Sequence, residues 1–168
     1  PGLDPKRVDQ PVSTLDLVPT LAELAGLDLE AVQPWTDGES LVDVAAGDRF
    51  SAAVTADGAL FTWGANEHGQ LGHGEFGGHR ERPGKVVGAI EKEVALRVVC
   101  GAAHLLLLTR SGAVFGVGDG SSGQLGKGDR ERRRFITPLS HLSGIAVRGM
   151  AAGARHSVIL TAAGSVLT

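Results

Sequence analysis

The residues best suited to chemistry lie in the second half of the chain. Gly118-Asp119-Gly120-Ser121-Ser122-Gly123 has the glycine spacing of a loop that cradles a dinucleotide pyrophosphate. Such a loop must lead into a helix whose N-terminus receives the phosphates. Here it leads into Gln124-Leu125-Gly126-Lys127-Gly128, a turn-forming run, and the same place 54 residues earlier reads Gly64-Ala65-Asn66-Glu67-His68-Gly69. The stretch is therefore read as architecture, and no cofactor is assigned. His68, His73 and His79, with Glu67 and Glu75 between them, offer nitrogen and oxygen donors of the kind zinc accepts. Their spacing fits neither a helix face nor a zinc knuckle, so they are read as a solvated loop and no metal is assigned. The densest basic run is Lys127-Gly128-Asp129-Arg130-Glu131-Arg132-Arg133-Arg134. Its arginines, Arg130, Arg132, Arg133 and Arg134, are the candidate partner-binding residues, because a planar guanidinium pairs two-pronged with carboxylates or phosphates. Asp129 and Glu131 neutralise part of that charge, and the competing reading is a solvated connection between strands. No catalytic residue is assigned, and the chain is read as a non-enzyme.

The elements that must carry these residues repeat along the chain. Val44 to Thr55 has the pattern of Val98 to Thr109 and of Met150 to Thr161, with Gly47, Gly101 and Gly153 separated by 54 and 52 residues. Gly58, Gly112 and Gly164 keep the same two spacings, and Gly69-Gln70-Leu71-Gly72 returns 54 residues later as Gly123-Gln124-Leu125-Gly126. Periods of this size mark solenoids, propellers or arrays. Each copy contains a short apolar run, such as His104 to Thr109, then a turn closed by glycine (Thr55-Ala56-Asp57-Gly58 in the first copy), then a second run beginning at once. Glycine suits the left-handed position that closes such a turn, which predicts a hairpin. Further strands are expected around 83–90 and 135–142, each after a charged loop. Four antiparallel strands per roughly 53 residues is the arithmetic of a propeller blade. His104 and His156 occupy one repeat position, which predicts that they hold backbone groups between strands rather than transfer protons. Trp63 is read as blade packing.

Composition agrees. The chain has 168 residues, 42% hydrophobic, with 25 glycines and no tyrosine. That is about twice the average glycine usage without a Gly-X-Y period, which favours a turn-rich β protein over collagen or disorder. The run around Leu105–Leu108 is far shorter than the roughly 20 residues a membrane helix needs, and no membrane partner is expected. The single cysteine, Cys100, is compatible with a reducing compartment, so a cytoplasmic or nuclear setting is favoured. The first residue is Pro1, which suggests a piece of a longer polypeptide. Residues 1–43 hold five of the seven prolines and nine acidic against two basic residues, whereas 44–168 hold 22 glycines and a net charge of +4. That mild basicity falls short of a dedicated nucleic-acid surface, so a nucleic acid is only a weak fit.

The run Val-x-x-Gly-x-x-His-x-x-x-Leu-Thr, then Gly-x-Val-Phe, then Gly-Gln-Leu-Gly-x-Gly resembles the regulator of chromosome condensation repeat, over 44–168. The resemblance implies a propeller of roughly seven blades, of which the chain would hold a little over two: 44–97, 98–149 and the start of a third at 150–168. It departs from the pattern at Phe50, where histidine is usual, and at Val117-Gly118, where Trp-Gly is usual. It implies a module for protein–protein interaction, with a small GTPase or another acidic protein surface as partner; repeats alone do not imply nucleotide exchange. Residues 11–27 read as one amphipathic helix, with Leu17, Val18, Leu21, Leu24 and Ala25 on one face. Pro1-Gly2, the run from Pro11 to Leu21 and Asp37-Gly38-Glu39-Ser40-Leu41 together resemble a late segment of the sulfatase catalytic domain. No Cys or Ser is followed two places later by proline, so the sulfatase nucleophile motif is absent from this sequence. The whole is read as mainly β, a partial β-propeller of four-stranded antiparallel blades preceded by a short helical segment at 1–43. Trp35 is a loop aromatic without an assigned role. The rival reading is the C-terminal part of a sulfatase-like hydrolase with appended repeats, inactive as this fragment; a third is that the join at 42–44 unites unrelated pieces.

Overall fold

Residues 41–168 are described by a computed structural model. The amphipathic helix expected at 11–27, Trp35 and nearly all of the sulfatase-like segment lie outside the described residues.

The first sheet has the order β1-β2-β3-β4, from Leu41–Ala46, Phe50–Thr55, Leu60–Ala65 and His79–Lys85. The second repeats it as β5-β6-β7-β8, from Ala95–Cys100, His104–Thr109, Val114–Gly118 and Arg133–Pro138. The third contains β9 (Val147–Ala152), β10 (Ser157–Thr161) and β11 (Val166–Leu167). The repetition extends to register. Ala52 faces Thr62 and Leu106 faces Gly116, while the ladder to the outer strand is broken between Thr62 and Gly64 and again between Gly116 and Gly118. Each repeat's first strand begins three residues before the shared pattern, at Leu41, Ala95 and Val147 rather than at 44, 98 and 150.

The hairpins form as their turn residues require. In all three copies the glycine N–H bonds back to the threonine carbonyl (Gly58 to Thr55 at 2.9 Å, Gly112 to Thr109 at 3.0 Å, Gly164 to Thr161 at 3.0 Å). The glycine φ angles are +85°, +85° and +84°, a conformation costly for any residue with a Cβ. A second glycine is fixed by space alone. A Cβ on Gly101 would overlap the His104 ring and stand 2.5 Å from the carbonyl oxygen of Gly153 in the next repeat. Gly47 is held in the same way by the Phe50 ring and the carbonyl of Gly101.

The core lies between successive sheets, and β6 shows why its sequence is a run of leucines. Leu105 and Leu107 point into a cluster with Phe50, Val54, Leu60 and Leu71 of the first repeat. Leu106 points the other way, into a cluster with Leu125, Leu139, Leu142 and Ile159. A strand buried on both faces has no polar alternation, and each such leucine contributes about 1.5–3 kcal/mol by leaving water. Asp43 ties the first two sheets together, its Oδ2 accepting the Val98 N–H at 2.8 Å. Among the described residues no helix is long and apolar enough to cross a membrane.

Candidate protein-interaction surface

The hairpin connections β1–β2, β5–β6 and β9–β10 fall beside one another. The Asp48 N–H bonds to the Ala102 carbonyl at 3.4 Å, and the Ala102 N–H bonds to the Ala154 carbonyl at 3.3 Å. Equivalent positions of three repeats, Asp48-Arg49, Ala102-Ala103 and Ala154-Arg155, thereby line one polar cleft of about 170 Å³ with His68, Gln70 and Asp119. Arg49 makes loose, exposed ion pairs with Glu67 at 3.4 Å and Asp48 at 3.8 Å. Arg155 makes no ion pair among the described residues.

Asp119 is the hinge of this surface. Burial opposes its charge, but the Ser121 amide and hydroxyl (3.2 and 3.0 Å), His68 and Arg132 outweigh it and hold the carboxyl below the usual range. Its Oδ1 lies 3.6 Å from Nε of Arg132, so the arginine segment and the cleft share one carboxylate.

The four arginines do not act as one cluster. Arg132 is paired with Asp119. Arg133 opens β8 and is largely covered, its guanidinium bonded to Glu131 and to Asp129; the Glu131 bond and the two nearby carboxylates raise its pKa further. Arg134 lies over two phenyl rings, 5.8 Å from the centroid of Phe76 and 5.6 Å from that of Phe135. Arg130 is exposed and makes no ion pair among the described residues. The segment is thus partly strand, where a connecting loop was expected. The sequence shows that Asp129 and Glu131 offset charge, but not that both are spent on Arg133.

Two of the histidines have specific side-chain partners, whereas Nδ1 of His68 is buried without a hydrogen-bond partner among the described residues. His73 Nε2 donates to Thr62 Oγ1 at 3.1 Å, since the Thr62 hydroxyl gives its proton to the Leu71 carbonyl at 2.7 Å. His104 is fully buried, and its Nε2 stands 2.8 Å from Ser157 Oγ, which donates to the Gln124 carbonyl at 2.8 Å. The serine proton is thereby committed, so Nε2 carries the imidazole proton and Nδ1 is left bare, without a hydrogen-bond partner. The expected histidine-to-backbone contact between strands runs instead through a serine of the next repeat. In the first repeat Phe50 fills the same place, 3% exposed. Gly118 to Gly123 turns back on itself, with the Gly123 N–H bonded to the Gly120 carbonyl at 2.8 Å, and leads into no helix.

Four-stranded antiparallel sheets stacked along the chain, with matching inner hairpins that bond from one repeat to the next, define a repeat protein built of β-propeller blades. The chain belongs to the regulator of chromosome condensation (RCC1) repeat family, whose repeat model matches residues 57–108 and 111–160. A second model of the same repeat matches 41–70 and 96–124. The chain is 38% identical over 128 residues to the E3 ubiquitin-protein ligase HERC2 of Homo sapiens, covering 75% of this chain and 3% of that protein. Among solved structures it is similar to human WBSCR16 (TM-score 0.68, 28% identity, 77% of this chain and 32% of that one). It is also similar to Prp20p of Saccharomyces cerevisiae (TM-score 0.66, 28% identity, 83% and 33%). The chain therefore spans a small part of HERC2 and about a third of each of these structures.

Proposed function

We propose that this chain is part of a propeller-type binding module that docks a protein partner against the inner hairpins and the adjoining arginine segment. The partner class is a small GTPase or another protein with an acidic surface. The observation that carries the reading is the sharing of Asp119, which places Arg132 of one segment beside a cleft also lined by Arg49 and Arg155 of two other repeats. Charged groups drawn from three repeats onto one face suit a protein surface better than a small molecule. Family membership supports it: Prp20p is described with binding properties to Gsp1p and histones, and has been solved bound to Kap60. A nuclear or cytoplasmic setting goes with this reading.

The test is binding of a purified small GTPase to the immobilised chain. The double variant Arg49→Glu/Arg155→Glu should weaken binding at least about tenfold, as expected when repulsion replaces complementary charge. Arg110→Glu, in a hairpin turn away from the cleft, should change it less than about twofold. Equal effects of the two variants, or no binding by the unaltered chain, would overturn the proposal.

A further inference from the structure

Phe76 and Phe135 are 51% and 54% exposed, unusual for phenylalanine, and come from segments of adjacent repeats. Their placement is built. The Gly74 N–H bonds to the Arg134 carbonyl at 2.8 Å, and His73 pairs with Phe135 across the two repeats. Phe76 is carried on a loop held to Asn66, whose carbonyl accepts the Gly77 N–H at 2.8 Å and whose Nδ2 donates to the Glu75 carbonyl at 3.1 Å. A Cβ on Gly74 would stand 2.5 Å from the Phe135 ring, so glycine is what lets that ring lie on the loop. The guanidinium of Arg134 lies over both rings and has no carboxylate partner among the described residues. Its neighbours Arg132 and Arg133 do. Rings over a guanidinium shed water from its faces and leave its N–H donors in the plane, where a carboxylate binds two-pronged.

Resting on the protein-docking reading above, we infer that Phe76, Arg134 and Phe135 form a receptor for a short acidic and apolar segment of a protein partner. A partner carboxylate pairs with Arg134 in the plane of its guanidinium, and an adjacent apolar side chain covers the exposed phenyl edges. Charge complementarity selects an acidic occupant, and the half-exposed rings beside the cation select one that also carries an apolar side chain. The same two segments carry Arg80, Arg82, Lys127, Arg130 and Arg134 against Glu75 and Glu81, while Asp129 and Glu131 are taken up by Arg133, so the surroundings of Arg134 attract a carboxylate. One face of each ring is already taken by the guanidinium, which reduces the ring area on which a base could stack.

The test uses the full chain and a fluorescein-labelled peptide, Glu-Asp-Leu-Phe-Glu-Asp, read by anisotropy. Two control peptides replace the acids by their amides or the Leu-Phe pair by Ser-Ser, and an oligothymidylate serves as the nucleic acid. The acidic apolar peptide should bind at least about fivefold more tightly than each control. Arg134→Gln should weaken it about tenfold, and Arg134→Lys, which keeps the charge but not the planar fork, by a similar factor. Phe76→Ser should weaken it severalfold, while the exposed Arg82→Gln should cost less than about twofold. Circular dichroism of every variant confirms that the fold is kept. Unchanged binding by folded Arg134→Gln and Arg134→Lys, equal losses in Arg134→Gln and Arg82→Gln, or tighter binding of oligothymidylate would each overturn the receptor. Because the GTPase measurement reads Arg49 and Arg155, it can succeed while this one fails, and the two failures are told apart.

Discussion

Lowering the pH should loosen the contact between the second and third sheets before it reaches the carboxylates. Burial pushes the His104 imidazole down from the ordinary 6.5 to about 4; nearby His156 adds to the shift and Asp119 opposes it. A second proton would go to Nδ1, which is buried without a partner. Between those two values the unfolded chain binds the proton and the folded chain does not. Stability is therefore complete above about pH 6.5 and is lost as the pH falls toward 4. By linkage the loss attributable to His104 is about 2 kcal/mol from pH 7.5 to pH 5, levelling off near 3 kcal/mol below pH 4. His73, held low by burial and by Arg80, adds a loss of the same sign. Asp57 and Asp119, whose carboxyls are lowered, keep their contributions above the ordinary carboxylate value of 3.8 and lose them as the pH falls from there toward their lowered values. Urea unfolding at pH 7.5 and pH 5, followed by circular dichroism, measures the effect. His104→Phe, which copies Phe50 of the first repeat, should lose about 2 kcal/mol less than the unaltered chain over that step. Equal losses in the two proteins, or an NMR titration placing His104 near 6.5, would refute the reasoning.

Four other outcomes follow from the structure. Gly101→Ala should destabilise by about 2–3 kcal/mol in urea, because the new methyl overlaps the His104 ring. Gly149→Ala, with only Leu160 Cβ at 3.9 Å, should be nearly neutral in the same experiment. Burial first, and Asp43 in addition, push the Cys100 thiol up to about 12. Its alkylation by iodoacetamide at pH 8 should therefore be at least about a hundredfold slower than that of an exposed thiol until the chain unfolds. Arg133→Ala should cost less than about 1 kcal/mol in global stability, since its partners are exposed, yet speed amide exchange over 119–131.

The features legible in the sequence are those whose geometry is local. The Thr-x-x-Gly turns follow from a glycine that must take a positive φ, and the leucines of β6 announce a strand because nothing polar interrupts them. The first strands were harder to delimit, because Leu41-Val42-Asp43, Ala95-Leu96-Arg97 and Val147-Arg148-Gly149 share no common pattern. The candidate surface depended on contacts between distant residues. Arg132 finds Asp119 across twelve intervening residues, and Arg134 meets Phe76 only because one repeat stacks on the next. Four arginines within five residues look alike in a sequence, whereas their separate roles are set by carboxylates and rings that folding brings to them.

The hydrogen bond from His104 to Ser157 spans 53 residues and joins one repeat to its successor. During synthesis His104 emerges first and has no serine to meet. At ribosomal rates of roughly 5–20 residues per second, it waits about 3–10 s for that partner. Throughout that interval Leu106 and Val114 of the second sheet, and Leu125 of the turn packed on them, also lack Ile159. Each repeat is therefore left with an exposed apolar face until the next has been made, so a pause in translation between two repeats prolongs the time in which a nascent chain is open to misassociation.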